Sequence, residues 1–197
     1  MRKRLFDLLL SVLGLLILLP VLLCIAIWIK MDSSGPVFFR QVRVGRYNKP
    51  FRIFKFRTMR TDAEKEGKLT IGPDHRITRS GHFLRRYKLD ELPQLIDVLR
   101  GTMSLVGPRP EVPDYVAYYP AEIKEKVLSV RPGITDYASI EMADENSVLA
   151  GYDDPQKAYI EVILPAKLKH YSDYVDSQSL VEDVKILLLT VKRILAK

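Results

Sequence analysis

Between Leu8 and Ile29 the chain runs for 22 residues without a charge, and no other feature limits its fold so tightly. As a helix rising about 1.5 Å per residue it would extend ~33 Å, close to the ~30 Å hydrocarbon core of a bilayer. The segment reads as membrane-inserted. A cleaved signal peptide would normally have an apolar region of ~7–15 residues followed by small residues, whereas Trp28, Ile29, Lys30 and Met31 follow here. Cys24 comes after Leu23, not after the small residue of a lipoprotein signal. As the only cysteine it forms no intrachain disulfide, in keeping with a reducing cytoplasm.

Charge placement bears on how the segment sits. Residues 1–60 hold twelve Lys or Arg against two acids, Asp7 and Asp32, so the net +7 of the 197-residue chain divides into +10 at the membrane end and −3 over the rest. Arg2, Lys3 and Arg4 precede the apolar run, and Lys30, Arg40, Arg43, Arg46 and Lys49 follow it. The positive-inside rule draws both flanks towards the cytoplasm. A straight span satisfies only one flank. A re-entrant hairpin satisfies both, and Pro20 supplies the break by removing a backbone hydrogen bond; a single kinked span is the alternative, since membrane helices tolerate proline. The basic flank also interleaves Phe38, Phe39, Phe51, Phe54 and Phe56 with arginines, as single-strand nucleic-acid binders do. Beside a bilayer anchor, anionic lipid headgroups account for that charge more simply. The expected division is an anchor over 1–32 and one domain over 33–197, whose length suffices for a real core.

The chemistry concentrates between Arg85 and Glu111, where adjacent carboxylates, Asp90 and Glu91, lie between arginine-bearing segments. Leu92, Leu95, Ile96 and Leu99 follow at helical spacing, and Pro93 belongs in a first turn, so both acids are expected at a helix start. Free N–H groups there would favour ionised carboxylates and bound phosphate. Neighbours on a helix point about 100° apart, which gives the two acids different jobs. An isolated Asp-Glu before proline is ordinary capping; what changes its meaning is Arg85 and Arg86 upstream and Arg109 in the rigid Gly107-Pro108-Arg109-Pro110 turn.

Elsewhere, residues 36–44 and 50–59 read as two strands joined by a turn at 45–48, with Lys55 in the second as edge decoration or as a residue facing a phosphate pocket. Residues 60–80 read as a polar loop long enough for a lid. Short helical character covers 121–130, Arg131 sits in a tight turn, and residues 155–170 and 179–197 read as helices. The last has an apolar side suited to core packing or to a membrane surface. No repeat, P-loop, dinucleotide fingerprint or zinc pattern is present.

KFRTM at 55–59, KLDELPQL at 88–95, MSLVGPRPE at 103–111 and RPGIT at 131–135, in that order behind an apolar segment with a central proline, together resemble the bacterial sugar transferases called monotopic phosphoglycosyl transferases. The resemblance covers nearly the whole chain, and the length is similar to that of the small members. It implies an α+β fold: a re-entrant membrane helix broken at Pro20, and a small, mostly helical catalytic domain with a short β-hairpin and surface amphipathic helices. It also implies transfer of a sugar 1-phosphate from a UDP-sugar to undecaprenyl phosphate at the cytoplasmic face of the bacterial inner membrane, releasing UMP.

In that scheme Asp90 is the nucleophile that forms a covalent phosphosugar enzyme. Glu91 orients metal or water, and Mg²⁺ is held at Asp90 and Glu91. Lys55, Arg85, Arg109 and Arg131 bind the anionic substrate. Inner-membrane phospholipid is the implied surroundings, nucleic acid is not a partner, and a homodimer is among the assemblies allowed. The chain departs from the usual pattern at Asp136-Tyr137-Ala138-Ser139-Ile140-Glu141, so the donor sugar is not readable. A membrane-anchored scaffold without chemistry and a glycosyl transferase releasing UDP are the competing readings.

Overall fold

The computed structural model describes residues 2–67, 69–142 and 144–196. Its first element, α1 (Arg2–Asp32), is a single helix that runs through Pro20. The chain does not fold back at that proline into the two-armed hairpin expected there. Proline removes one N–H, and the bonds of its neighbours can carry a helix past it. A continuous packing stripe also holds this helix: Asp7, Ser11, Gly14, Leu18, Leu22, Ile25 and Ile29 recur at three-and-four spacing and face the rest of the molecule. On the opposite side Leu9, Leu13, Leu16, Ile17 and Ile27 are each more than half exposed. Among the described residues α1 is the one helix long and apolar enough to cross a membrane.

Both ends of α1 are tied to the same domain by polar contacts. At the start, Lys3 donates to the Val106 carbonyl (3.1 Å) and pairs with the buried Asp183. Arg4 donates to the carbonyls of Val98 (2.6 Å) and Leu99 (3.2 Å), and buried Asp7 accepts from Ser104 Oγ (2.8 Å) and Leu105 N (3.2 Å). At the far end Asp32 accepts from Ser80 N (2.9 Å) and Oγ (2.8 Å), while Arg57 donates to the Ser33 hydroxyl (2.7 Å) and carbonyl (2.9 Å).

The expected hairpin exists but is broken into two ladders: β1 (Phe38–Phe39) pairs with β4 (Lys55–Phe56), and β2 (Val42–Val44) with β3 (Pro50–Arg52), all antiparallel. Its turn closes through left-handed Tyr47 and Asn48. The break falls where the Phe54 N–H leaves the ladder to donate to Asp97 Oδ2 (2.7 Å). The loop after it is knotted by Arg76, which forks onto Asp74 and donates to the carbonyls of Ala63, Gly67 and Leu69.

The helix α2 (Arg79–Arg86) is capped by Thr78, whose hydroxyl accepts from Gly81 N. A 3-10 turn (Leu89–Glu91) leads to α3 (Gln94–Arg100), and β5 (Ser104–Val106) follows. After α4 (Pro113–Val116) and α5 (Ala121–Val127), β6 (Gly133–Thr135) pairs parallel to β5. The chain continues through α6 (Tyr137–Glu141), α7 (Glu145–Leu149) and α8 (Pro155–Ala158). A π turn over Tyr159–Ile163 joins α8 to α9 (Leu164–Ser177), and α10 (Leu180–Leu195) is the last element. The architecture is mostly helical with short strands.

Three clusters form the core. One gathers Tyr115, Tyr119, Tyr159, Leu164 and Tyr171; a second joins Ile53, Leu95, Val98, Met103 and Ile186 with Phe6, Leu15 and Leu18 of α1; a third joins Ile25 and Ile29 to Phe56 and Leu84. The expected dual character of the last helix is resolved face by face, since Ile186 is fully buried while Val181, Leu188 and Leu195 are largely exposed.

Candidate active site

Asp90 and Glu91 are both buried, and they emerge from the 3-10 turn just after Lys88, a non-glycine residue at φ 56°. That left-handed residue costs on the order of 1–3 kcal/mol and turns the chain sharply out of α2 into the acids. As the sequence implies, the pair sits at a helix entrance, but the source of its electrostatics differs. Glu91 N, Leu92 N and Leu95 N are closed onto the Lys88, Leu89 and Leu92 carbonyls, so these three amides are spent on the backbone. The charge that meets Glu91 comes from side chains.

Glu91 Oε1 accepts from Lys55 Nζ (2.7 Å), and Arg109 forks across both oxygens, with Nη1 at 3.0 Å from Oε2. Lys55 reaches it because its predecessor Phe54 is bonded to Asp97 of α3 and because β4 is registered on β1, with Phe39 opposite Lys55. Arg109 reaches it because β5 and β6 hold its turn: Gly107 N donates to Thr135 O (3.1 Å) and Gly133 N to Pro108 O (2.9 Å). A Cβ at Gly133 would lie 2.1 Å from Gly107 N, so the backbones of the two turns touch directly.

These contacts divide the acids. Burial pushes the Glu91 carboxyl up, but Arg109 and Lys55 outweigh it and hold the group well below the usual carboxylate range. Asp90 makes no such fork. Burial pushes its carboxyl up, Lys55 and Arg85 pull it back only in part, and its Oδ1 is buried without a hydrogen-bond partner. Burial also lowers Lys55, to about 8, with Glu91 opposing.

The other expected arginines differ in placement. Arg85 lies close enough to Asp90 for their charges to interact, while its Nε donates to Thr58 Oγ1 (2.9 Å) and its Nη1 to Thr70 Oγ1 (3.0 Å). Arg131 is not brought to the dyad by any of its described contacts; its Nε donates to Gly101 O (2.8 Å) near the start of α1. Pro20 lies within α1, outside the site.

Behind Arg109 stands a buried network in which Glu111, the end of the MSLVGPRPE motif, and Arg43 of the basic flank meet residues the sequence did not single out, Tyr159, Lys167 and Glu145. Arg43 donates to Pro110 O (2.9 Å) and lies 3.5 Å from Glu111 Oε2, while Glu111 Oε1 accepts from Tyr159 OH (2.6 Å) and Lys167 bridges to Glu145 (2.6 Å). Its members lie up to 124 residues apart in the chain, so only the fold unites them.

Among the described residues no cluster of three or more His, Cys, Asp or Glu suited to a metal forms. Mg²⁺ is commonly held by one or two carboxylates together with substrate phosphates. Asp90 Oδ1, unpartnered and buried, is the carboxylate atom that fits such a role, since both oxygens of Glu91 face cations.

The family model described as bacterial sugar transferase matches residues 1–197. The chain is 42% identical over 200 residues to the undecaprenyl-phosphate glucose phosphotransferase of Komagataeibacter xylinus, covering 98% of this chain and 36% of that protein. It is 38% identical over 196 residues to the UDP-N-acetylgalactosamine-undecaprenyl-phosphate N-acetylgalactosaminephosphotransferase of Aeromonas hydrophila, covering 98% of this chain and 43% of that one. An uncharacterized sugar transferase of Bacillus subtilis, EpsL, is 38% identical over 194 residues, 98% of this chain and 87% of its own. The chain thus spans less than half the length of the first two relatives.

Proposed function

The chain belongs to the bacterial sugar transferase family, and from that premise we propose that it is a phosphoglycosyl transferase moving a sugar 1-phosphate from a UDP-sugar to undecaprenyl phosphate. The observation that carries this reading is the contrast within the dyad. Glu91 is saturated by Lys55 and Arg109, whereas Asp90 keeps a buried carboxyl oxygen free. A desolvated, unpartnered carboxylate is a nucleophile waiting for an electrophile.

In the first step an Asp90 oxygen attacks the sugar-bearing phosphorus of the donor. An aspartyl phosphosugar forms as the bond to the uridine-bearing phosphate breaks, and UMP leaves with the electron pair. In the second, a phosphate oxygen of undecaprenyl phosphate attacks the same phosphorus. This restores the Asp90 carboxylate and yields the diphosphate-linked lipid sugar. Lys55 and Arg109 fix Glu91 as an anion, and Arg85, one shell away, offsets the charge of Asp90 as the donor approaches. Mg²⁺, held by Asp90 and the donor's phosphates, would supply neutralisation of the diphosphate when bound. The relatives are named for glucose and for N-acetylgalactosamine at similar identity, so identity to them does not select the sugar. The site of action we infer is the cytoplasmic face of the bacterial inner membrane, with phospholipid around α1.

A panel of UDP-sugars incubated with undecaprenyl phosphate should release UMP with at least one donor; UDP release would identify a glycosyl transferase instead, and neither product a scaffold. Asp90→Asn should abolish turnover while expression and membrane attachment persist. Retention of more than about a tenth of the activity, a loss of only ~1.4 kcal/mol in transition-state stabilisation, would show that Asp90 is not the nucleophile. Chelation by EDTA should stop the reaction, and Mg²⁺ should restore it.

A further inference from the structure

Next to the dyad lies a cleft of about 240 Å³ between α3, β6, α6 and α10, walled by Leu92, Leu95, Leu105, Ile134, Ile140 and Leu187. Glu91 and Arg109 stand in its lining, and Lys88 and Arg193 add two further cations. Resting on the function proposed above, we propose that this cleft receives the isoprene units nearest the phosphate of the polyprenyl acceptor, with the phosphate turned towards Arg109 and Lys88.

The wall chemistry selects the occupant. The hydroxyls in the lining are already committed: Thr135 and Thr190 bond each other at 2.7 Å, Thr190 donates to Ile186 O at 2.8 Å, and Ser139 donates to Asp136 Oδ2 at 2.7 Å. A sugar or a uridine placed here would give up its bonds to water and find few replacements, a cost of about 1–3 kcal/mol for each group left unpaired. A hydrocarbon segment has no such bonds to lose and gains about 25 cal/mol for each Å² it hides. Lys88 and Arg109 stand in the lining beside Glu91 and suit the anionic head of an amphiphile, whereas Arg193 is paired with Asp144 at 3.7 Å.

Size and position agree. Pockets for whole small ligands usually begin near ~300 Å³, so this cleft suits a segment of a long chain, not the whole of it. It also adjoins the apolar helix: Leu95 in its wall stands 3.3 Å from where a Cβ on Gly14 would sit, and Leu15 and Leu18 of α1 pack in the same cluster as Leu187 and Ile140. The apolar wall of the cleft is therefore continuous with the packed face of α1. The divergent segment after the RPGIT motif finds a role here. Asp136 caps α6, and α6 contributes Ser139 and Ile140 to the wall.

A polyprenyl phosphate bearing a diazirine in its phosphate-proximal isoprene unit, photolysed with the unaltered protein in phosphatidylglycerol vesicles, should attach to residues of α3, α6 and α10 lining the cleft. Added undecaprenyl phosphate should suppress the adducts, and extra phosphatidylglycerol should not. Adducts confined to the outer side of α1, or equal competition by the phospholipid, would overturn the proposal. Ile140→Trp, which fills the cleft, should raise KM for undecaprenyl phosphate at least about tenfold while labelled UMP still exchanges into the UDP-sugar without acceptor. An unchanged KM with exchange intact would also overturn it. If the variant loses exchange, the adduct map on the unaltered protein decides. Absence of exchange in the unaltered protein would refute the proposed function itself, and the adduct map would still judge the cleft.

Discussion

At the scale of single residues, the contact that most shapes the site is Lys55 against Glu91. Burial brings the Lys55 ammonium down to about 8 although Glu91 opposes it. Below that pH Lys55 is charged and Glu91 lies between two cations; as pH rises through it the proton leaves and Arg109 alone remains. Activity should therefore fall on the alkaline side with a midpoint near 8. Lys55→Arg carries a guanidinium that stays ionised, so the alkaline limb of kcat/KM should move upward, and an unmoved limb would remove Lys55 from the account. The acid limb has the opposite sign. Burial raises Asp90, so the nucleophile loses its charge as pH falls through a value above the ordinary ~3.9. The types of these residues were legible in the sequence, since Asp90, Glu91 and Arg109 share one motif-rich stretch. Their partnership was less so: Lys55 lies 36 residues from Glu91, and no periodicity encodes that distance. Arg131 shows the same limit, because an arginine in a tight turn reads alike whether it meets a phosphate or the Gly101 carbonyl.

At the scale of elements, two turns carry the site through two glycines. A Cβ on Gly107 would meet Arg131 O at 2.6 Å, and one on Gly133 would meet Gly107 N at 2.1 Å and Gly107 O at 2.5 Å. Both obstacles are backbone, which has no rotamer to yield. Gly133→Ala should thus part β5 from β6, lower stability by at least ~2 kcal/mol and Tm by roughly 4–8 °C, and reduce turnover by displacing Arg109. Gly151→Ala, whose Cβ has an ordinary 3.4 Å neighbour in Val148 O, is the control and should leave Tm nearly unchanged in thermal melts. The parallel pairing of β5 with β6 was not legible, because three-residue strands are too short to show alternation and α4 and α5 separate them. The β-hairpin was legible from its longer apolar runs and its turn. Its interruption was not, since it depends on Phe54 finding Asp97 in a helix 43 residues away.

At the scale of the whole molecule, the question is where the two ends of α1 lie relative to a bilayer. Apolar length alone allows a crossing, and the charge pattern favours both flanks on one side. Packing adds an independent constraint. Lys3, Arg4 and Asp7 are bound to β5, α3 and α10, while Asp32 and Ser33 are bound to Ser80 and Arg57, in the same folded body. A straight crossing would tear one of these sets away; loss of the first would leave Asp183 buried without the Lys3 ammonium, about 3–5 kcal/mol for a broken buried pair, and loss of the second would strip Asp32 from Ser80 and Ser33 from Arg57. The expected arrangement is therefore shallow, with the exposed leucines of α1 in lipid and both helix ends on one face. Single cysteines placed at Arg2 and at Ser34, in a Cys24→Ser background, should react alike with an impermeant maleimide. Both should be protected in sealed cells and both reactive in inverted vesicles. Labelling of one position from each side would establish a crossing and would require the contacts of Lys3 and Asp7 to be absent in the membrane.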